Sequence, residues 1–362
     1  MNRVHNIFSK KASGEGVMGG ALVISLTIIL FIALLGLVST PALAKGSGWN
    51  FKHSRHHYQP EACSLTASAA FFACQNGNED DYWIAKGNCY NLAKQDQADC
   101  FDEAKAEYDD GIAECQDQLG ARKDLCDELG EAPYDPEIDP DNFVDPADIG
   151  GSVTANPYFP LVRGSKWVYK TSVRGEGITE TNTDEVLTET KEIMGVECVI
   201  VHDIVYDGDN TDPDNIKEDT YDYYAQDKDG NVWYFGEFSL SFEEDLPSME
   251  GSWLFGVDGA KPGVIMYADL AKKDIGKVYR QEFALGEAED WAKLESLDAE
   301  ARVPYSGGNC VAGDKCRNTS EGTPLEPDVI EYKYYKSDIG TVLEYAPDTG
   351  ERTALTRFAP GP

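Results

Sequence analysis

The side chains of this 362-residue chain with the most definite chemistry are its nine cysteines, and six of them keep a strict spacing. Cys63, Cys74, Cys89, Cys100, Cys115 and Cys126 are separated by 11, 15, 11, 15 and 11 residues. In an exported chain such regularity reads as a disulfide framework. At about 100° per residue, a step of 11 returns to within ~20° of the same helical face, and a step of 15 to within ~60°. The set is also a palindrome, because 63 with 126, 74 with 115 and 89 with 100 all sum to 189. A chain that folds back near Lys94-Gln95 brings each pair level across two antiparallel helices. This predicts three nested bridges, Cys63–Cys126, Cys74–Cys115 and Cys89–Cys100. The spacing is equally a repeat of 26, which three short helices with two cysteines each would satisfy, at the cost of an odd number of thiols per level. Cys310 and Cys316 enclose only five residues and predict a local bridge. Cys198, inside the run Val196–Val201, reads as a buried free thiol behaving as a small apolar residue.

Two segments have the composition of metal ligands. His53, His56 and His57 place three imidazoles within five residues, a set able to hold Zn²⁺ or Cu²⁺ or to be a solvated tail. Asp207, Asp209, Asp212 and Asp214 crowd hard oxygens into one loop, which suits Ca²⁺ as a cofactor and equally suits an acidic hairpin loop. The Asp227–Asn231 turn begins like a calcium loop and then departs from it, with Val232 and Phe238 where Gly and Glu are required.

Nucleophilic and acid–base chemistry find no such pattern. No Gly-x-Ser-x-Gly, no His-Glu-x-x-His and no phosphate-cradling glycine loop is present. His202 and Asp203 are sequence neighbours in a strand pattern and so point to opposite faces. Acidic pairs are too common in this chain to single out any of them. The chain reads as non-catalytic.

Charge and targeting frame these residues. The sequence holds 31 Lys+Arg against 65 Asp+Glu, a net charge of −34. Such a surface repels nucleic acid and anionic lipid. Residues 21–38 are uninterruptedly apolar, preceded by Arg3, Lys10 and Lys11 and followed by Pro41-Ala42-Leu43-Ala44. This is the layout of a secretory signal peptide cleaved after Ala44, residues 1–44. An uncleaved anchor helix is the other reading, and the only membrane contact the sequence suggests. The expected location is periplasmic or extracellular.

The scaffold divides into segments of distinct texture. A flexible His-containing tail spans 45–61. Residues 62–130 carry the cysteine-stapled hairpin. On its second arm Phe101, Ala104, Tyr108, Ile112, Cys115, Leu119, Arg122, Cys126 and Leu129 step by threes and fours, a seam facing a partner helix with Arg122 its only charge. On the first arm Gln75-Asn76-Gly77-Asn78 is a candidate break. The hairpin is a stalk, spacer or docking arm, or else a cap on a β domain. Residues 131–155 form an acidic linker with three Asp-Pro dipeptides, an extended semi-rigid spacer. From Asn156 short runs rich in Val, Ile, Tyr and Trp alternate with Gly, Asp and Asn, the signature of many strands up to residue 346. Expected strands are Lys166–Val173, Gly177–Leu187, Val196–Tyr206, Glu218–Ala225, Asn231–Phe235, Lys277–Phe283, Ile330–Tyr335 and Gly340–Tyr345, with a short helix around Glu287–Leu297 and a C-terminal tail over 347–362.

Within this domain Asn156-Pro157-Tyr158-Phe159-Pro160-Leu161, Gly164 and Trp167-Val168-Tyr169 resemble the opening of a group of uncharacterised secreted bacterial proteins. The resemblance runs through Tyr223–Asp227, Gly236-Glu237, Val303-Pro304-Tyr305, Glu331–Tyr335 and Gly340–Glu344. The general plan is similar to periplasmic incomplete barrels of the lipoprotein-carrier kind. That similarity implies a half-barrel and an apolar ligand; it assigns no activity, and the Cys310–Cys316 loop is extra to it.

The fold expected is therefore α+β: an N-terminal disulfide-stapled antiparallel helical hairpin, then an antiparallel β half-barrel or curved sheet. Trp167, Tyr169, Tyr223, Trp233, Phe235, Trp253, Tyr332 and Tyr334 are the aromatics able either to line a ligand cavity or to fill a core. The leading functional expectation is a secreted, non-catalytic binding protein for an apolar or amphipathic ligand, its partner being that hydrophobic molecule or an envelope protein. A structural or adhesive envelope component, Ca²⁺-dependent, and a hydrolase with an unrecognised site are the alternatives.

Overall fold

The computed structural model describes residues 61–362, apart from Glu176 and residues 243–245. The signal segment and His53, His56 and His57 lie outside the described residues. No described helix is long and apolar enough to cross a membrane.

Two helices, α1 (Ala62–Tyr90) and α2 (Gln97–Leu129), form the hairpin. Its bridges are Cys63–Cys126, Cys74–Cys115 and Cys89–Cys100, with Cα–Cα separations of 5.7, 5.8 and 5.6 Å. The three-helix alternative is thereby removed. Residues Gln75–Asn78 stay helical because Asn78 turns inward, its amide donating to the Tyr108 carbonyl at 2.9 Å. Gly111 makes room for it: a Cβ there would lie 2.5 Å from Asn78 Oδ1.

Arg122 leaves the seam for the β domain. Its Nη2 and Nε donate to Glu289 at 2.7, 3.0 and 3.1 Å, with both side chains buried. Gln118 Nε2 donates to the Leu325 carbonyl at 3.1 Å. At the hairpin's base the Ser64 N–H donates to Glu131 Oε2 at 2.9 Å. The C-terminal turns of α2 thus dock on the sheet.

The sheet has fourteen antiparallel strands: β1 (Lys166–Ser172), β2 (Ile178–Ile193), β3 (Val196–Asp207), β4 (Ile216–Gln226), β5 (Val232–Ser241), β6 (Trp253–Leu254), β7 (Lys261–Met266), β8 (Val278–Arg280), β9 (Glu282–Phe283), β10 (Trp291–Ser296), β11 (Arg317–Thr323), β12 (Glu326–Lys336), β13 (Gly340–Ala346) and β14 (Glu351–Ala359). Their order is β8-β10-β11-β12-β13-β14-β1-β2-β3-β4-β5-β7-β9, with β6 against β5. The two ends meet, since β8 and β9 flank Gln281, and β7 crosses so close that a Cβ on Gly263 would sit 2.3 Å from the Gln281 carbonyl carbon. The sheet is nearly closed into a barrel.

Three expectations are corrected. Residues 351–359 are no tail; they are β14, between β1 and β13, with Leu355 fully buried and Phe358 packed on Trp167 at 5.3 Å. The helix expected around Glu287–Leu297 is strand β10, whose Ala292 and Leu294 point inward at a period of two. The linker is no free spacer. Asp139 and Asp145 cap one-turn helices that begin at Pro140 and Pro146, where a missing N–H costs nothing. Between them Phe143 packs edge-on against Phe235 at 5.4 Å, and the Val144 N–H donates to the Gln226 carbonyl at 3.1 Å.

Two apolar clusters result. The first fills the barrel interior around Trp167, Tyr169, Val186, Val201, Tyr224, Tyr234 and Leu355, plugged by Ile149, Leu161 and the bridged segment containing Cys310 and Cys316, whose Cα atoms are 5.9 Å apart. The second lies on the outer face of β3–β5, with Val196, Cys198, Tyr223 and Phe235 covered by Ile138 and Phe143 of the former linker.

Candidate functional site

Strand register places the site. Along β2, β3 and β4 the residues that share the inward face alternate between apolar and acidic. Val186, Val201 and Tyr224 form an apolar layer, and Asp184, Asp203 and Asp222 come next to them on the same strands. Asp184 stands directly opposite Asp203, Asp222 stands opposite Glu237, and Asp222 is one inward step from Asp203, because it pairs with Val201. Trp167 is level with Asp184 on β1. Four carboxyl groups therefore run as a ladder across four strands, with Trp167, Tyr224, Tyr234 and Trp253 beside them as an aromatic floor. In that floor Tyr224 and Tyr234 stack at 4.6 Å and Trp253 meets Tyr234 edge-on at 5.5 Å.

The ladder is poorly neutralised. The Tyr234 hydroxyl donates to Asp222 Oδ1 at 2.6 Å, and Asn182 Nδ2 donates to Asp203 Oδ2 at 3.4 Å. Among the described residues, none of the four carboxylates pairs with a lysine or arginine. Among the described residues, one oxygen each of Asp184, Asp203 and Asn182 is buried without a hydrogen-bond partner. Burial, and then the neighbouring acids, hold the carboxyls of Asp184, Asp203 and Glu237 well above the usual range. Burial also raises Asp222, with the hydrogen bonds from Tyr234 and Tyr224 working the other way.

The opposite wall contrasts with it. Lys333 on β12 lies 3.2 Å from Glu321 on β11 and opposite Glu344 on β13. Burial pushes the Glu321 carboxyl up, but Lys333 and the hydroxyls of Thr319 and Tyr335 outweigh this and leave it below its ordinary value. Asp290 is pushed up to about 6 by burial, against the pull of Lys333. One wall of the interior carries its own cation; among the described residues, the β2–β5 wall pairs with none.

The aromatics expected to act together are divided between faces. Trp167, Tyr169 and Trp253 are interior, with Trp167 Nε1 donating to the Ile339 carbonyl at 2.7 Å and the Tyr169 hydroxyl to that of Thr341 at 3.0 Å. Tyr223, Trp233 and Phe235 belong to the outer cluster under Phe143. Tyr332 and Tyr334 are half-buried on the face of β12 opposite Lys333.

The loop aspartates are spent locally. Asp209 pairs with Lys170, and Asp212 Oδ1 accepts from the Asp214 N–H at 3.1 Å. Among the described residues, no group of three or more His, Cys, Asp or Glu is arranged to hold a metal, so Asp207, Asp209, Asp212 and Asp214 do not converge. Asp227 accepts from the N–H and the side-chain amide of Asn231 and from Trp233 Nε1 at 2.8–2.9 Å, a turn and nothing more. His202 turns outward to Asp219 at 2.7 Å and stacks on Tyr221, away from Asp203. Cys198 is buried and free, and burial pushes its thiol well up.

Composition alone does not select the ladder among so many acids. Strand parity carries a usable signal: Asp184 shares its parity with Val186, Asp203 with Val201 and Val205, and Asp222 with Tyr224. An acid on the apolar parity of three successive strands is an acid pointing inward.

Such a site can bind and orient a cationic group. No protein-family description and no curated protein matches the sequence. Two solved structures are similar to parts of it. A Bacteroides fragilis protein described as exported, with a YmcC-like fold, aligns over 57% of this chain and 100% of its own at 12% identity and a TM-score of 0.33. A Parabacteroides distasonis protein described as a lipoprotein aligns over 57% of this chain and 100% of its own at 11% identity and a TM-score of 0.29.

Proposed function

We propose that the chain is an exported, non-catalytic binding protein whose barrel interior takes an amphipathic ligand with a basic group. The apolar part would lie on the floor of Trp167, Tyr224, Tyr234 and Trp253, and an ammonium or guanidinium would meet Asp184, Asp203, Asp222 and Glu237. The observation that carries this reading is the ladder, whose acids meet no lysine or arginine among the described residues. A buried polar atom left unmet costs about 1–3 kcal/mol. Three such oxygens side by side, unmet among the described residues, are open to donors from a ligand. The four bridges agree with an oxidising compartment.

This narrows the sequence expectation of an apolar or amphipathic ligand, because the inward face of β2–β5 carries acids beside its aromatics. Titration calorimetry with dodecylamine and with laurate, equal in chain length and opposite in charge, tests the reading. The amine should bind at least tenfold more tightly, a difference of about 1.4 kcal/mol. Equal affinity for the two, or preference for laurate, removes the proposal.

A further inference from the structure

The outer face of α1 is a second feature that the barrel does not explain. Leu65, Phe72, Trp83 and Tyr90 are 54, 61, 59 and 68% exposed. Their spacings of 7, 11 and 7 bring all four within ~20° of one line along the helix, at about 100° per residue. Cys63 and Cys74 lie on the opposite side of α1, so Leu65, Phe72 and Trp83 point away from α2, while Tyr90 meets Phe101 of α2 edge-on at 4.9 Å and stays 68% exposed. The stripe's first half is free of charge, and in the second half the Lys86 ammonium lies 4.3 Å over the Trp83 ring. Residues 62–78 contain no Asp, Glu, Lys or Arg, and α1 has three acidic residues where α2 has eleven. The hairpin has segregated its charge onto one helix and left apolar side chains on the outside of the other.

The stripe is self-complementary. Leu65 with Tyr90 and Phe72 with Trp83 both sum to 155. Two copies of α1 laid antiparallel about a two-fold axis therefore set Leu65 against the Tyr90 of the second copy and Phe72 against its Trp83, each contact occurring twice. At the axis Asn76 comes level with the second copy's Glu79, and an amide can donate to that carboxylate on both sides, a polar pair that fixes register. Interfaces of this isologous kind are the commonest route to a dimer. The area suffices. Large side chains present about 150–250 Å² each, so four of them, each somewhat more than half exposed, remove roughly 500 Å² per copy. The total of about 1,000 Å² reaches the threshold for a specific interface.

We infer that the protein forms a two-fold dimer through the outer face of α1, with Leu65, Phe72, Trp83 and Tyr90 of one copy packed antiparallel on those of a second. The pairing places the two β domains at opposite ends of a four-helix layer.

Sedimentation of the oxidised chain, exported and purified, tests this with two variants. Wild type should sediment at twice the chain mass at about 10 µM, while Phe72→Glu and Trp83→Lys, both at exposed positions, should each be monomeric with unchanged helical circular dichroism. Mixing the two variants should restore a dimer, because Glu at 72 then faces Lys at 83 while the other pair keeps its native Trp83–Phe72 contact. A lesion of folding could not be rescued in this way. The inference is overturned if wild type stays monomeric at 100 µM, if either variant alone remains dimeric, or if the mixture stays monomeric. Flotation of a monomeric wild type with neutral phosphatidylcholine vesicles would assign the stripe to a lipid surface and overturn it equally.

Discussion

Asp203→Asn is the perturbation that isolates the ladder. The side chains are nearly equal in shape, so the change removes a charge and little else. Asp203 stands directly opposite Asp184, which sets their Cβ atoms about 5 Å apart. At an effective dielectric of about 20, two unit charges at that distance repel by about 3 kcal/mol. An aspartate in the unfolded chain titrates near 3.9. In the folded protein burial, with Asp222 and Glu218 behind it, holds Asp203 well above that. Below the unfolded value both states are protonated and the group contributes nothing. As pH rises past it, the folded state keeps a proton that the unfolded chain has released, so stability falls. The full penalty is present once pH exceeds the folded value. Asn cannot carry this penalty. The variant should match wild type at pH 4 and melt about 6–12 °C higher at pH 8, taking about 2–4 °C per kcal/mol for a domain of this size. It should also lose most of its preference for dodecylamine over laurate. Melting curves by circular dichroism from pH 4 to 8 give the answer. A difference that does not change with pH, or a variant less stable than wild type at pH 8, would refute the placement of Asp203 among uncompensated acids.

Single contacts elsewhere carry further outcomes. Glu289→Ala leaves Arg122 buried without its partner and should cost about 3–5 kcal/mol, whereas Arg122→Met with Glu289→Leu should recover most of it; denaturant unfolding and hydrogen exchange over residues 115–129 measure both. Removing one bridge as Cys74→Ser with Cys115→Ser should lower hairpin stability by about 3 kcal/mol through loop entropy, read as loss of helical signal on heating. Gly263→Ala puts a Cβ 2.3–2.6 Å from backbone atoms of Gln281 and Arg280, so the closing seam must part at a cost of about 3 kcal/mol or more, seen as a lower midpoint in urea.

The hairpin was legible because covalent bonds fix geometry and a palindromic spacing leaves few ways to satisfy it. Strands β1 to β5 and β12 to β13 were legible because β-branched and aromatic residues mark half-buried surfaces. Strands β7, β11 and β14 were missed for a physical reason. Arg317-Asn-Thr-Ser-Glu-Gly-Thr of β11 has no apolar alternation, because its inward neighbours on β12 and β13 include Lys333 and Glu344 and the interior there is polar. Lys261-Pro-Gly of β7 carries two strand breakers, yet Pro262 and Gly263 are what let β7 pass β8 and β9 at close range. Residues 287–297 misled in the opposite direction. Glu, Ala, Lys and Leu favour helix locally, and pairing of Trp291–Leu294 with β11 and β8 overrides a preference of a few tenths of a kcal/mol per residue. The linker misled because Asp-Pro was read only as a breaker, although Asp before Pro is also an N-cap before a first turn.

The same contrast bears on why the molecule tolerates its interior. Ionised carboxylates buried without cations oppose folding, and the chain is strongly acidic besides. The stabilising features lie elsewhere: four bridges, the Arg122–Glu289 contact between hairpin and barrel, and an outer cluster in which Phe143 and Ile138 cover β3–β5. Each acts outside the ladder, so none neutralises it. A wall that served packing alone would gain by exchanging Asp184, Asp203 or Asp222 for apolar residues that continue the parity of Val186, Val201 and Tyr224. On the proposed function the acids remain because a cation from outside completes them, and a ligand that binds only the folded state returns the missing stability as it binds. The size of that return is itself a measurement. Saturating dodecylamine should raise the melting temperature of wild type more at pH 8 than at pH 5, since only ionised carboxylates gain from the amine, and should leave Asp203→Asn much less changed. A ligand-induced rise equal at both pH values would mean that the alkyl chain alone is being bound, and that the ladder plays no part in recognition.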